Sequence, residues 1–478
     1  MTTASIPRRH RGGTLRIAVP PLDGSIDPQS TAAWTAQPWT MFAMTNDGLL
    51  GLKRAAGPEG ETIVADLAKS IPTPAPGGRT YTFQLRPGVR YSNGQPVKAS
   101  DIRNGIERSF TVNSAPNDFV LGTYFYSDIV GANRCDHRAT CNLSKGIVTD
   151  DQTGTITFHL THPDPNFLAK LAMPITAAVP ASVTHRDSGA HPLPATGAYE
   201  IAQYQPSKGA ILIRNPRFHE WSRDAQPAGY PNRIVFRVYP TVDQAIAAVE
   251  HGSADLLFGI QSNGEGGWSP SASTMRQLAT RYATQIHPAI VSGTELMGIP
   301  GWLANDRRGR LAISYALDRQ KISTLLGGPL LAQPTCQLLP PNFPGYRPYC
   351  PYTIDPGQHA WSAPDLTRAE QLAKHSRNYG RTMIVQSPSP LSSYLVQLLD
   401  KLGYRARLQT KNQQPDIGLY DFLEDYPGAA DFIQLYAPSF LQHQVDLALG
   451  QQLQSPYAGT LAWAALDRQI TNYAAPLF

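Results

Sequence analysis

The residues best able to do covalent chemistry in this 478-residue chain are its four cysteines. Cys135 lies near Cys141 and Cys336 near Cys350, each pair within a Pro/Gly-rich stretch. An even count in sequence-local pairs reads as two disulfides, each worth about 2–3 kcal/mol in the chain-entropy account. Free thiols are one alternative. Another is a metal held by Cys135, His137 and Cys141, but that spacing matches no usual zinc pattern and no fourth ligand is evident. Disulfides imply an oxidising compartment, whereas Met1-Thr2-Thr3-Ala4 runs to Pro7 and Arg8 without the apolar stretch of a signal peptide. A mature form, or part of a longer chain, reconciles the two.

Nucleophilic and cofactor motifs are missing. Gly267-Trp268-Ser269-Pro270-Ser271 fails the Gly-x-Ser-x-Gly elbow at its last position. No Gly-x-x-x-x-Gly-Lys phosphate loop occurs, and Gly264-Glu265-Gly266-Gly267 is no dinucleotide fingerprint. His219-Glu220 is followed by Arg223 where a helical zinc protease needs its second histidine. The 12 histidines are scattered without metal-ligand spacing. Asn142-Leu143-Ser144 formally matches a glycosylation sequon. No catalytic residue, metal or cofactor is expected, and a hydrolase is a remote alternative.

The elements that must position any site read as mixed α/β, and at roughly 150 residues per domain the length suggests about three folding units. The chain is 41% hydrophobic and 16% charged, which excludes disorder. Its 41 Lys+Arg against 36 Asp+Glu give a net +5, and the one basic run is Arg8-Arg9-His10-Arg11, so nucleic acid is not expected as a partner. No stretch is long and apolar enough to cross a membrane, and a soluble protein is expected. Gly13–Val19 reads as a strand, and Tyr81, Phe83 and Leu85 alternate as in a half-buried one. Ser100 can cap a helix carrying Ile102, Ile106 and Phe110. Thr241-Val242-Asp243-Gln244 opens another, stopped by Gly252 before a strand at Ala254–Phe258. Helices are expected near 307–326 and 365–375. Met383–Val385, the stripe Leu391, Leu395, Leu398, Leu399 and Leu402, then Tyr404–Thr410 make a βαβ unit with parallel strands.

Several segments together resemble the family 5 extracellular solute-binding proteins of ABC importers, of the oligopeptide-, dipeptide- and nickel-binding type. The longest runs from Ala65-Asp66-Leu67-Ala68 through Leu85-Arg86-Pro87-Gly88-Val89-Arg90-Tyr91-Ser92-Asn93-Gly94-Gln95-Pro96-Val97-Lys98-Ala99-Ser100-Asp101. Asp47-Gly48-Leu49-Leu50, Ala195-Thr196-Gly197-Ala198-Tyr199 and Arg214-Asn215-Pro216-Arg217-Phe218 are similar to further blocks in family order. So are Gly252-Ser253-Ala254-Asp255-Leu256 and Ala312-Ile313-Ser314-Tyr315-Ala316-Leu317-Asp318-Arg319. Asn93 stands where relatives usually carry Asp, and the chain ends where relatives continue into a final strand and helix.

The resemblance implies a two-lobed clamshell of the periplasmic-binding-protein type. Lobe one takes residues 1–45 and 178–250, with an extra subdomain at 46–177; the second lobe takes 251–460, and 461–478 turns back toward lobe one. It implies an extracytoplasmic protein that captures a peptide or other small solute between its lobes and passes it to the permease of an ABC importer. A monomer is expected, and a ligand-sensing module of a larger regulatory protein is the alternative. Tyr420-Asp421-Phe422-Leu423-Glu424-Asp425-Tyr426-Pro427 resembles the segment whose Asp pairs with the ligand α-ammonium in peptide-binding members. By that match Asp425 is the ammonium contact and Phe422 its aromatic neighbour. Trp34, Trp39 and Phe42 fall where relatives place ligand-facing residues, and Thr196 and Gly197 lie in a loop near the expected lobe crossing.

Overall fold

The computed structural model describes residues 11–473 apart from 23, 114–117, 261–266, 288–290, 387–388, 390 and 412. Most of the basic N-terminal run, the loop at Gly264–Gly266 and the last five residues lie outside the described set. The chain divides into two compact units, Met1–Ile260 with Glu265–Trp268, and Gln261–Gly264 with Ser269–Phe478.

The first unit is organised by a five-stranded mixed sheet. Its order is Leu256–Leu257, Thr14–Val19, Arg233–Val238, Gly209–Arg214 and Tyr199–Gln205. Thr14–Val19 runs parallel to both neighbours, and the remaining pairs are antiparallel. Side chains alternate across a strand, so Ile17 and Val19 join Leu212, Ile234 and Phe236 on one face, covered by Met41 and Phe42 of helix Ala36–Thr45. Ala18 faces the other side, under Ala245 and Ala248 of helix Val242–Glu250 and beside Trp268. Thr241 caps that helix through the Gln244 amide, and Gly252 follows it at φ 70°. The strand expected at Ala254–Phe258 shortens to two residues.

A three-stranded antiparallel sheet, Thr80–Gln84, Thr155–His159 and Ile147–Asp150, packs with helix Ala99–Ser109 in the same unit. Ile102, Ile106 and Phe110 are buried as their spacing requires. Ser100 is not the cap: the helix starts at Ala99, after Lys98. Asp101 takes the Lys98 amide at 2.9 Å, while Ser100 is drawn away by Asp151, which accepts both its N–H (2.8 Å) and its hydroxyl (2.9 Å). Asn93 closes its own turn by accepting the Gln95 amide at 3.0 Å.

In the second unit, Thr382–Val385 and Arg405–Leu408 pair in parallel, with helix Ser392–Lys401 as their crossover. Leu391, Leu395, Leu399 and Leu402 are almost wholly buried. Helices Arg307–Ala316, Arg319–Leu325 and Leu366–Lys374 bury residues in the same core, the first two separated by Leu317 and the Asp318 cap. Gly293–Gly298 pairs antiparallel with Gly418–Leu423. A second core gathers Phe432, Ile433, Val445, Trp463, Leu466 and Ile470. Residues 461–472 belong to helix Pro456–Asn472, whose Trp463, Leu466 and Ile470 are buried in this core. Both disulfides, Cys135–Cys141 and Cys336–Cys350, are formed, so neither cysteine pair is left for a metal.

Candidate functional site

Strand Gly418–Leu423 ends in a short turn and restarts as helix Ala429–Tyr436, and the turn carries Asp425. The Glu424 amide donates to the Ser292 carbonyl at 2.8 Å. The Asp425 amide donates to the Asp431 carboxylate at 2.7 Å, and the Tyr426 amide donates to the same carboxyl. Asp425 is half-buried, whereas Asp431 is 2% exposed. Burial, reinforced by the charge of Asp425, pushes Asp431 up to about 8. Phe422, paired with Thr294 in the strand ladder, meets Phe432 edge-on at 4.8 Å and Tyr436 at 5.4 Å. Burial and then the nearby Asp421 and Asp425 push the Tyr436 hydroxyl up to about 12. Asp425 and Phe422 are thus neighbours on one turn and strand end. Asp431 lies outside the recognisable motif; the only trace in the sequence is an acid placed in the first turn of a helix.

The other candidates lie in the first unit and divide by exposure. Trp34 and Trp39 are half-buried and meet edge-on at 4.8 Å. Trp34 also stacks on Phe125 at 5.5 Å, and Phe125 meets Tyr124 at 4.6 Å, giving a continuous run of rings. Phe42 is 1% exposed, inside the core. Thr196 is equally buried: its hydroxyl donates to Asp47 at 2.7 Å and accepts the Asp47 amide at 2.9 Å. Gly197 is there because the chain passes so close to Met44 that a Cβ would stand 2.4 Å from its carbonyl oxygen. All three are buried.

What Thr196 supports is a buried carboxyl pair. Asp47 and Asp66 are hydrogen-bonded to each other, and burial raises both; the charge of Asp47 drives Asp66 well above the carboxylate range. Gln226 donates to Asp47, and the Trp221 indole donates to Asp66 at 2.8 Å. Two carboxyls that close share a proton rather than both ionise. The pair ties residues 47, 66, 196 and 221–226 together, with both acids inside blocks already singled out.

Two open clefts occur on the first unit. One, of about 250 Å³, is lined by Arg16, Arg233 and Arg237; the other, of about 430 Å³, by Arg214, His219 and Glu220. None of the candidate residues lines either. Among the described residues no group of three His, Cys, Asp or Glu is placed to hold a metal, and no helix is long and apolar enough to cross a membrane.

Residues 62–383 match the family model for bacterial extracellular solute-binding proteins, family 5. The chain belongs to that family. Relatives in sequence include the probable deoxycholate-binding periplasmic protein YgiS of Escherichia coli, 28% identical over 280 residues, or 56% of this chain and 48% of that protein. The glutathione-binding protein GsiB of Salmonella typhimurium is 22% identical over 285 residues, 59% of this chain and 49% of its own. The chain spans about half the length of these curated relatives. Among solved structures, a clavulanic acid biosynthesis oligopeptide-binding protein superposes with a TM-score of 0.76 at 22% identity, covering 98% of this chain and 90% of the other. The ABC transporter-associated periplasmic binding protein DppA of Helicobacter pylori, in complex with the peptide STSA, gives 0.72 at 19% identity over 99% and 93%. At these identities the likeness is one of fold: the mixed α/β fold of the periplasmic peptide-binding proteins.

Proposed function

We propose that this family 5 protein captures peptides or peptide-like solutes outside the cytoplasm and delivers them to the permease of an ABC importer, without chemical change. The observation that carries this reading is the family match over residues 62–383. Asp425 is the contact for a ligand ammonium, offered half-buried on a turn whose backbone is tied down, with Phe422 beside it. A desolvated carboxylate–ammonium hydrogen bond contributes about 1.5–3 kcal/mol. Trp34 and Trp39 offer rings suited to apolar parts of a solute.

A second reading, an apolar solute lacking an amine, is favoured by the run of rings from Trp39 to Tyr124 and by the deoxycholate in the name of one relative. Native mass spectrometry of the purified protein, followed by denaturation and identification of what is released, separates the two. Calorimetry then tests the contact. Asp425→Asn should weaken a free-amine peptide by roughly 10- to 100-fold with the fold intact; equal affinity would remove the ammonium assignment.

A further inference from the structure

The turn bearing Asp425 is held from beneath by a side chain that the motif does not contain. Asp431 stands in the first turn of helix Ala429–Tyr436, and its carboxyl group takes the amides of both Asp425 and Tyr426. With the Glu424 amide on Ser292, three successive peptide groups of the turn are tied. Tyr426 and Phe432, 3% and 0% exposed, anchor the two ends in the core. A tied peptide plane fixes the direction in which its Cβ leaves the chain. A carboxylate aimed in advance loses less freedom when it meets a cation, and that saving appears as affinity and selectivity.

We propose that Asp431 is a positioning residue for cation recognition: by holding the 425–426 peptide groups it fixes where the Asp425 carboxylate meets a ligand ammonium. The inference rests on the reading of Asp425 as the ammonium contact. What residue 431 must supply is an acceptor oxygen rather than a charge, consistent with a carboxyl raised to about 8 by burial. An asparagine therefore meets the requirement, and an alanine or leucine does not.

The test is a competition on the full chain between a mixed tripeptide library with free amino termini and the same library N-acetylated, retained peptides being counted by native mass spectrometry. Wild type and Asp431→Asn should prefer the free amines to the same degree. Asp431→Ala should lose that preference about tenfold while keeping its circular dichroism. Asp431→Leu, which also lacks an acceptor but fills the site, carries the test if the alanine variant does not fold. A folded Ala or Leu variant with undiminished preference would overturn the proposal, as would an Asn variant that loses as much as Ala. A wild type without preference would instead overturn the reading of Asp425, and this inference with it.

Discussion

Asp431 and Asp467 are carboxyl groups of the second unit that burial pushes up from the ordinary 3.8, to about 8 and about 6. Each binds its proton more tightly folded than unfolded, so the stability it contributes is complete below about pH 4 and is lost as the pH rises through its folded value. Over that window the unfolded chain has released the proton and the folded chain still holds it. Stability therefore falls with rising pH, and Asp467 completes its share first. Asp431→Asn stays neutral throughout, so its urea midpoint should gain on wild type between about pH 5 and about pH 8; a constant difference would contradict the assignment. Arg108 illustrates the opposite risk. It is paired with Asp27, both side chains fully buried, and burial opposes ionisation of each. Arg108→Ala strands the Asp27 carboxylate and should cost about 3–5 kcal/mol by chemical denaturation. Neither Asp431 nor the Arg108 pairing was legible in the sequence: no local pattern marks a carboxyl that packing will bury, and Arg108 meets Asp27 from 81 residues away.

Helices and strands set by short-range periodicity were largely legible. The βαβ unit from Thr382 to Leu408 follows its expected order, and Gly403, at φ 89°, ends the crossover helix. Capping was less secure. Ser100 has the right chemistry for a cap, but Asp101 takes the Lys98 amide while Asp151, at a strand end 51 residues away, takes the Ser100 amide and hydroxyl. Gly197 belongs to the same class of long-range demand. Gly197→Ala would push against the Met44 backbone, which cannot rotate aside, and should lower the melting temperature by several degrees. The Cys336–Cys350 bridge closes a loop of 14 residues' separation, and replacing both cysteines by serine should cost about 3 kcal/mol in a denaturant titration.

At the scale of the molecule, stability and ligand binding are linked. A solute that binds only the folded protein should stabilise it by about 2.7 kcal/mol at a hundred times its Kd, and at the same peptide concentration Asp425→Asn should cut that stabilisation to between about 1.4 and about 0.4 kcal/mol, each thermal shift being measured against the variant's own apo melting temperature. A shift that survives the substitution undiminished would favour the rings of Trp34 and Trp39 as the principal contact. The sequence by itself determined the family, the α/β class, both disulfides and most element centres, because ordered blocks, side-chain periodicity and local cysteine spacing act within a few residues of chain. Only the tertiary structure decided that Phe42, Thr196 and Gly197 are buried, that Asp47 and Asp66 meet, and that the Asp431 carboxyl takes the Asp425 amide. Those outcomes depend on burial and, for Asp47 and Asp66, on carboxyl groups brought together from separate segments, and both are properties of the packed chain.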